Sequence, residues 1–86
     1  MPYTVRLAPS AQRDLKHLPP SVRDRIIPAI AALVAEPRPR GARKLVGFED
    51  RYRIRVGDYR VIYDILDREL LVIVIRIGHR RSVYGR

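Results

Sequence analysis

The fold of this chain depends on one stretch, Arg51-Tyr52-Arg53-Ile54-Arg55-Val56-Gly57-Asp58-Tyr59-Arg60-Val61-Ile62-Tyr63-Asp64-Ile65. Polar and apolar residues alternate up to Val56, which indicates a β-strand with one buried face. Gly57 as the first residue of a two-residue loop favours a type II′ turn, so the stretch predicts a β-hairpin. In that register Arg55 lies directly opposite Arg60, and Arg53 lies on the same face of the sheet.

This placement of the arginines is unfavourable for the sheet itself. Like charges on directly opposed strand residues destabilise a sheet, so the stability of the hairpin does not explain them. A partner that carries negative charge would explain them. The stretch therefore predicts an anion-binding patch on one face of a small sheet, and the alternative is a solvated strand face.

The charge of the whole chain points to the same kind of partner. The 86 residues include 18 Lys and Arg against nine acidic residues, which gives a net charge of +9 at neutral pH. The excess is uneven, because residues 37–60 hold eight of the basic residues and three of the acidic ones. Arginine outnumbers lysine, which fits phosphate recognition by a rigid fork of donors. Nucleic acid or an acidic protein is the expected partner.

Composition also excludes several classes of protein. The chain has no cysteine and two histidines, so we expect no disulfide, no dedicated metal site and no cofactor. No apolar run is long enough to cross a bilayer, and the first residues lack the layout of a signal peptide. We therefore expect one domain over residues 1–86.

Periodicity and chain breakers predict the elements before the hairpin. A strand is predicted at Tyr3–Leu7, followed by a helix that Pro9 and Ser10 open. A capping box at Ser21 predicts a second helix, with a kink at Pro28 because proline removes a backbone hydrogen bond. The expected class is α+β, in the order β-α-α-β-β-β, with a helical hairpin on one face of a small, mostly antiparallel sheet.

Two connections complete this prediction. Residues 37–47 are rich in Pro, Gly and basic residues and are expected to form a solvated loop or to extend the basic surface, with Leu45, Val46 and Phe48 packed on the core. A two-residue turn at Asp67-Arg68 is expected to lead into the last strand, Glu69–Ile77. The pairs predicted by that turn are Tyr63 with Val72, Val61 with Val74, and Ile62 with Ile73.

The order of these elements and two motifs resemble the RelE branch of the RelE/ParE toxin superfamily. The motifs are the hairpin from Tyr52 to Tyr63 and the ending Ile77-Gly78-His79-Arg80-Arg81-Ser82-Val83-Tyr84. The likeness covers nearly the whole chain and implies a small cytoplasmic toxin that a cognate antitoxin holds inactive. RelE-type members enter the ribosomal A site and cut mRNA there, whereas ParE-type members share the fold and inhibit DNA gyrase.

The resemblance also implies the residues of the site. The catalytic positions fall on Arg53, Arg55, Arg60, Arg80 and Tyr84. The residues expected to bind RNA beside them are Arg43, Lys44, Arg51, His79 and Arg81. The best-known members carry lysine where Arg53 and Arg55 stand, and arginine stays protonated, so the general base is unassigned. Tyr84 is expected either to hold a nucleotide or to pack the tail onto the sheet.

Partners and alternatives follow from the same resemblance. An acidic, partly helical antitoxin segment is expected to cover the basic and apolar outer face of the sheet, and the ribosome and mRNA are the expected targets. One alternative function is a ParE-like gyrase inhibitor without nuclease activity. Another is a basic RNA-binding module that does not cleave.

Overall fold

The computed structural model describes residues 2–79. Its elements in chain order are β1 (Thr4–Leu7), α1 (Pro9–Lys16), α2 (Pro20–Ala32), β2 (Arg43–Lys44), β3 (Arg51–Val56), β4 (Tyr59–Leu66) and β5 (Leu71–His79). The strands form one five-stranded sheet in the order β1-β5-β4-β3-β2. β1 is parallel to β5, and the other neighbouring strands are antiparallel. The α+β class and the mostly antiparallel sheet are as predicted.

The two helices pack on one side of the sheet, which we call the helix face. Its core is built from alternate strand residues and the inward residues of both helices. These residues are Ala11, Leu18, Ile26, Ile30, Leu33, Ile54, Val61, Tyr63, Ile65, Val72, Val74 and Ile77. The opposite side, which we call the arginine face, carries the alternate residues Arg51, Arg53, Arg55, Arg60, Ile62 and Asp64 of β3 and β4. Ile62 is buried there but is not part of the core cluster.

Both helices begin with a proline and have no side-chain cap. The capping predicted for Ser10 and Ser21 is therefore wrong. The hydroxyl of Ser10 instead donates to the carbonyl of Ile75 at 2.6 Å, which ties α1 to β5 where β1 has ended. α2 runs through Pro28 to Ala32 as one helix. No helix in the described part of the chain is long and apolar enough to cross a membrane.

The predicted register between β4 and β5 is wrong. The connection is a 3₁₀ turn at Asp67–Glu69 followed by Leu70 in the left-handed region with φ of 51°, so it is longer than a two-residue turn. Tyr63 consequently lies opposite Val74, and an irregularity after Ile62 shifts the pairs beyond it. Tyr63 is displaced by two residues from its predicted partner, which keeps its pair on the predicted face, whereas Ile62 and Val61 are displaced by three because of the irregularity.

The basic segment 37–47 also differs from its prediction, because it contains the short strand β2. A two-residue strand in a segment rich in proline and glycine has no periodicity by which it could be recognised. Val46 is 99% exposed and Phe48 is 50% exposed, so the prediction that these residues pack on the core is wrong. β2 matters for the site because it covers one edge of β3.

Candidate nucleic-acid interface

The arginine face is organised in rows across the strands, because paired residues share a face. The rows are Arg51-Asp64-Ile73, Arg43-Arg53-Ile62-Arg76 and Arg55-Arg60-Gly78. The pairing of Arg55 with Arg60 is the one that the Gly-Asp turn predicted. The charge balance therefore changes along the hairpin: the first row contains an acid, and the third has arginine opposite arginine.

Arg51 in the first row is held in a structural ion pair. Its Nε lies 2.7 Å from Oδ1 of Asp64, and its Nη2 donates to Oδ2 at 3.1 Å. The guanidinium also lies 4.6 Å from the ring centroid of Phe48. The hydrogen bonds that Arg51 donates to Asp64 raise the pKa of Arg51. Arg51 was predicted to bind RNA, and the structure places its charge against a carboxylate of the same sheet.

Arg53 in the second row is the one charged residue among the described residues that is classed as buried, with 8% of its surface exposed. Its Nη1 donates to the carbonyl of Gly41 at 3.4 Å, so the loop before β2 helps to orient the guanidinium. Arg43, which pairs with it across β2 and β3, is exposed. The structure therefore brings these two predicted residues together.

The third row lies next to the hairpin turn. Arg55 is exposed and Arg60 is half-buried, and both line a hollow of about 50 Å³ together with the turn itself. Gly57 has φ of +60° and Asp58 does not have a positive φ, as expected for a type II′ turn. A Cβ at Gly57 would lie 3.1 Å from Nη1 of Arg25.

Arg25 is thus a further cation beside this turn, contributed by α2. It was missed because nothing in the local sequence relates a residue of a helix to a turn far along the chain. Helix packing alone brings the two together. The surroundings of the hairpin turn are therefore more basic than the hairpin sequence predicts.

Two of the predicted residues point away from the arginine face. Lys44 pairs with Tyr52, and Tyr52 packs against the core on the helix face. His79 pairs with Tyr59, and their rings meet edge to face with centroids 5.6 Å apart. The remaining predicted residues, which are Arg80, Arg81 and Tyr84, lie outside the described residues 2–79 and stay predictions.

A polar cluster at the other end of the sheet holds the basic loop in place. Arg38 donates to both carboxylate oxygens of Asp67, at 3.3 and 2.8 Å, and its Nε donates to the hydroxyl of Tyr52 at 3.2 Å. Tyr3 donates to Asp67 at 2.6 Å. The hydrogen bond from Arg38 is the main reason why the pKa of Asp67 is lowered. Arg38 is therefore a structural arginine.

Buried Tyr63, on the helix face, holds the start of the same basic loop at Pro37. Its hydroxyl donates to the carbonyl of Pro37 at 2.8 Å, and its ring stacks on that of Tyr52 with centroids 6.2 Å apart. Burial raises the pKa of Tyr63 to about 12. These contacts hold the start of the segment that leads to Gly41 and β2. The segment matters for the site because Gly41 accepts the hydrogen bond from Arg53.

Two grooves border the described residues. A groove of about 550 Å³ lies at α1 and the start of α2, and it contains none of the predicted site residues. A groove of about 440 Å³ lies between α2 and β3, and it does contain Arg43, Arg53 and Arg55. The predicted residues therefore line this groove at the edge of β3 as well as the small hollow at the turn.

The arrangement suits the stabilisation of charge on phosphoryl oxygens. Arg53, Arg55 and Arg60 present guanidinium groups on one face. A guanidinium group can donate two parallel hydrogen bonds to the oxygens of one phosphate. Neither of the two histidines lies on this face, since His17 follows α1 and His79 is on the helix face. The described residues of the arginine face therefore supply positive charge without a histidine, and their carboxylate, Asp64, is held in the ion pair with Arg51.

Comparison with solved structures defines the class of protein. The toxin–antitoxin complex RelBE2 from Mycobacterium tuberculosis contains a chain that superposes with a TM-score of 0.82 and 34% identity, over 93% of this chain and 100% of that one. A helical hairpin on one face of a five-stranded mixed sheet is thus the fold of RelE toxins.

The sequence comparisons give the family. Residues 5–84 match the family model described as ParE toxin of type II toxin-antitoxin system, parDE. Toxin RelG of Mycobacterium tuberculosis is 38% identical, with 100% of each chain covered. The mRNA interferase toxin RelE of Escherichia coli is 29% identical over 93% of this chain and 85% of its own length. The chain belongs to the RelE/ParE superfamily of type II toxins and is RelE-like, as the two motifs predicted.

Proposed function

We propose that this chain is an endoribonuclease toxin that cuts mRNA in the ribosomal A site and so inhibits translation. The observation that carries the proposal is the row in which Arg55 lies opposite Arg60, beside buried Arg53. Such a row is unfavourable for an isolated sheet and is favourable once a phosphate lies over it. The relative from Escherichia coli that is named an mRNA interferase supports the same reaction.

The chemistry proposed is attack by the ribose 2′-oxygen on the adjacent phosphorus, without a metal ion. A base takes the 2′-proton, the bond between phosphorus and the 5′-oxygen breaks, and an acid protonates that oxygen. The products are a 2′,3′-cyclic phosphate and a free 5′-OH. Arg53, Arg55 and Arg60 would stabilise the charge on the phosphoryl oxygens.

The remaining roles belong to the tail. Arg80 is proposed to lie near the leaving 5′-oxygen, and Tyr84 to hold a nucleotide or hydrogen-bond the 2′-OH. Because Asp64, the carboxylate of the arginine face, is ion-paired with Arg51 and the arginines stay protonated, the ribosome or the RNA itself is a candidate source of the base. The proposed partners are the ribosome with its mRNA and a cognate antitoxin, in the cytoplasm.

The test is cleavage of a defined mRNA by the purified chain, with and without a ribosome stalled on that message. We expect cuts in register with the reading frame on the ribosome and little cleavage of free mRNA, and fragments that end in a cyclic phosphate. Salt-sensitive RNA binding without any cleavage would instead indicate an RNA-binding module.

Inhibition of DNA gyrase is a second candidate, because the matching family model is the one described for ParE toxins. It predicts that the purified chain blocks supercoiling by gyrase and leaves translation unaffected. The two assays can be run on the same preparation. Gyrase inhibition together with intact mRNA on stalled ribosomes would replace the nuclease proposal.

A further inference from the structure

Phe48 is an exposed aromatic residue beside the arginine face. The four tyrosines among residues 2–79 all belong to the core or pack against it, whereas Phe48 does neither and is half exposed. Its ring lies instead against the guanidinium of Arg51, whose carbon is 4.6 Å from the ring centroid. Burial in the core therefore does not explain the aromatic residue at this position.

The surroundings of this ring are fixed by hydrogen bonds. The guanidinium of Arg51 is held by its two hydrogen bonds to Asp64, so the surface under the ring does not move freely. The loop that carries Phe48 is closed at one end, where the amide of Leu45 donates to the carbonyl of Arg51 at 2.8 Å. At its other end the carbonyl of Asp50 accepts a hydrogen bond from an amide of β4 at 2.9 Å. A planar group can therefore stack on the ring without first ordering the loop.

We infer that Phe48 is a stacking site for one base of the bound RNA. The base lies on the exposed side of the ring, and Arg51 supports the ring from the other side. Aromatic side chains commonly hold the unstacked bases of single-stranded RNA in this way. The inference rests on the proposed function as a nuclease that acts on mRNA, and it adds a contact to a base where the arginines contact phosphates.

The position of the ring fits a strand that follows β3. Arg51, Arg53 and Arg55 are alternate residues of that strand, so neighbouring members are about 7 Å apart. This distance resembles the spacing of neighbouring phosphates in an extended single strand. An RNA whose phosphates lie over Arg53 and Arg55 therefore brings its next nucleotide to the end where Phe48 covers Arg51.

The charges beside the ring favour a base over a phosphate. Glu49 and Asp50 follow Phe48 and are both exposed, so a phosphate placed over the ring would be repelled. A base is uncharged and stacks through its π-face. A second copy of the chain is disfavoured as the occupant, because each copy carries a net charge of +9.

The first test uses tryptophan as a reporter, since the chain contains none. Phe48→Trp places an indole at the proposed site, and Val46→Trp is the matched control on the same loop, where Val46 is 99% exposed. The probes are a single-stranded RNA oligonucleotide and an abasic ribose-phosphate strand of equal length. We expect saturating RNA to quench the fluorescence of Phe48→Trp well beyond that of Val46→Trp, and the abasic strand to quench both variants equally. Equal quenching of the two variants by RNA would overturn the stacking site.

The second test measures the Kd of the same oligonucleotide. Phe48→Leu keeps an apolar side chain and removes the ring, so we expect the Kd to rise about 5- to 150-fold, the effect typical of one lost stacking contact. The dependence of the Kd on salt should not change, because no charge is lost. Val46→Ala should stay within about threefold of the native Kd. Phe48→Trp should restore native affinity, which separates stacking from simple support of Arg51.

Three results would contradict this site. They are native affinity for RNA in Phe48→Leu, an equal loss in Val46→Ala, and a loss of antitoxin binding in Phe48→Leu without any loss of RNA binding, which would assign the ring to a protein partner. Failure of the nuclease proposal is distinguishable. It shows as absent cleavage on stalled ribosomes, whereas the quenching and the Kd are measured on free RNA.

Discussion

The two ends of the arginine face place the same residue type in opposite surroundings. Arg51 makes a bidentate ion pair with Asp64, at 2.7 and 3.1 Å, and packs on Phe48. At the turn end, the residue opposite Arg55 is Arg60. The residue on the neighbouring strand therefore determines whether an arginine of β3 faces a carboxylate or another arginine.

The energetic consequence differs between the two ends. A half-buried bidentate pair contributes to stability, whereas directly opposed like charges cost about 0.2–1 kcal/mol. A bound phosphate would offset that cost at the turn end only. Variants at the two ends should therefore separate an effect on stability from an effect on RNA cleavage.

The largest effect is expected for Arg60→Gln, which keeps a polar, unbranched side chain, shortens it and removes its charge. We expect single-turnover cleavage of mRNA on stalled ribosomes to fall about 100- to 1,000-fold, because a donor to the transition state is lost. Arg68→Gln is the control, since Arg68 is exposed on the turn before β5. Cleavage at the native rate by Arg60→Gln would remove this residue from the site.

Tyr63→Phe tests whether the buried hydroxyl stabilises the loop that orients Arg53. Loss of its hydrogen bond to Pro37 should lower the free energy of unfolding by about 1–3 kcal/mol at neutral pH. The pKa of Tyr63 is raised from 10.0 to about 12, so its contribution is complete below pH 10 and is lost as pH rises through 12.

The native chain should therefore lose about 2–3 kcal/mol of stability over that range because of this tyrosine. Denaturant unfolding of the native chain and of Tyr63→Phe at pH 7, 10 and 12 measures both effects. The same alkaline loss in Tyr63→Phe as in the native chain would assign that loss to other groups.

A smaller effect is expected when Arg51 is released from its ion pair. Asp64→Asn leaves Arg51 without its carboxylate and should convert it into a further phosphate contact. The slope of log K against log salt for single-stranded RNA should then become steeper by about 0.7. Arg51→Gln serves as the control and should leave the native slope unchanged. An unchanged slope in Asp64→Asn would mean that the ion pair does not hold Arg51 away from RNA.

Most of the fold could be predicted because the decisive signals are local. The turn at Gly57-Asp58 and the alternation before it determine the hairpin register, including the pair Arg55 and Arg60. The register of β5 could not be predicted, since it depends on Leu70 in a left-handed conformation, which is uncommon for a leucine. β2 could not be predicted, because its two residues form a strand only by pairing with β3 and have no pattern of their own.

The placement of the candidate site residues was predicted in part, for the same physical reason. The hairpin places Arg53, Arg55 and Arg60 on one face from local information alone. The proximity of Arg25 to the turn depends on helix packing, and the position of His79 depends on the register of β5. Residues whose neighbours come from distant parts of the chain are thus the ones that sequence reasoning placed wrongly or missed.

The contrast between the two ends of the arginine face is tested most directly by a matched pair of variants, Arg55→Gln and Arg51→Gln. Both residues belong to β3, share a face and receive the same substitution. The measurement is the single-turnover rate of mRNA cleavage on stalled ribosomes, at a temperature where both variants are folded. We expect Arg55→Gln to cleave about 100-fold more slowly than Arg51→Gln. Equal rates for the two variants would contradict the assignment of recognition to the turn end.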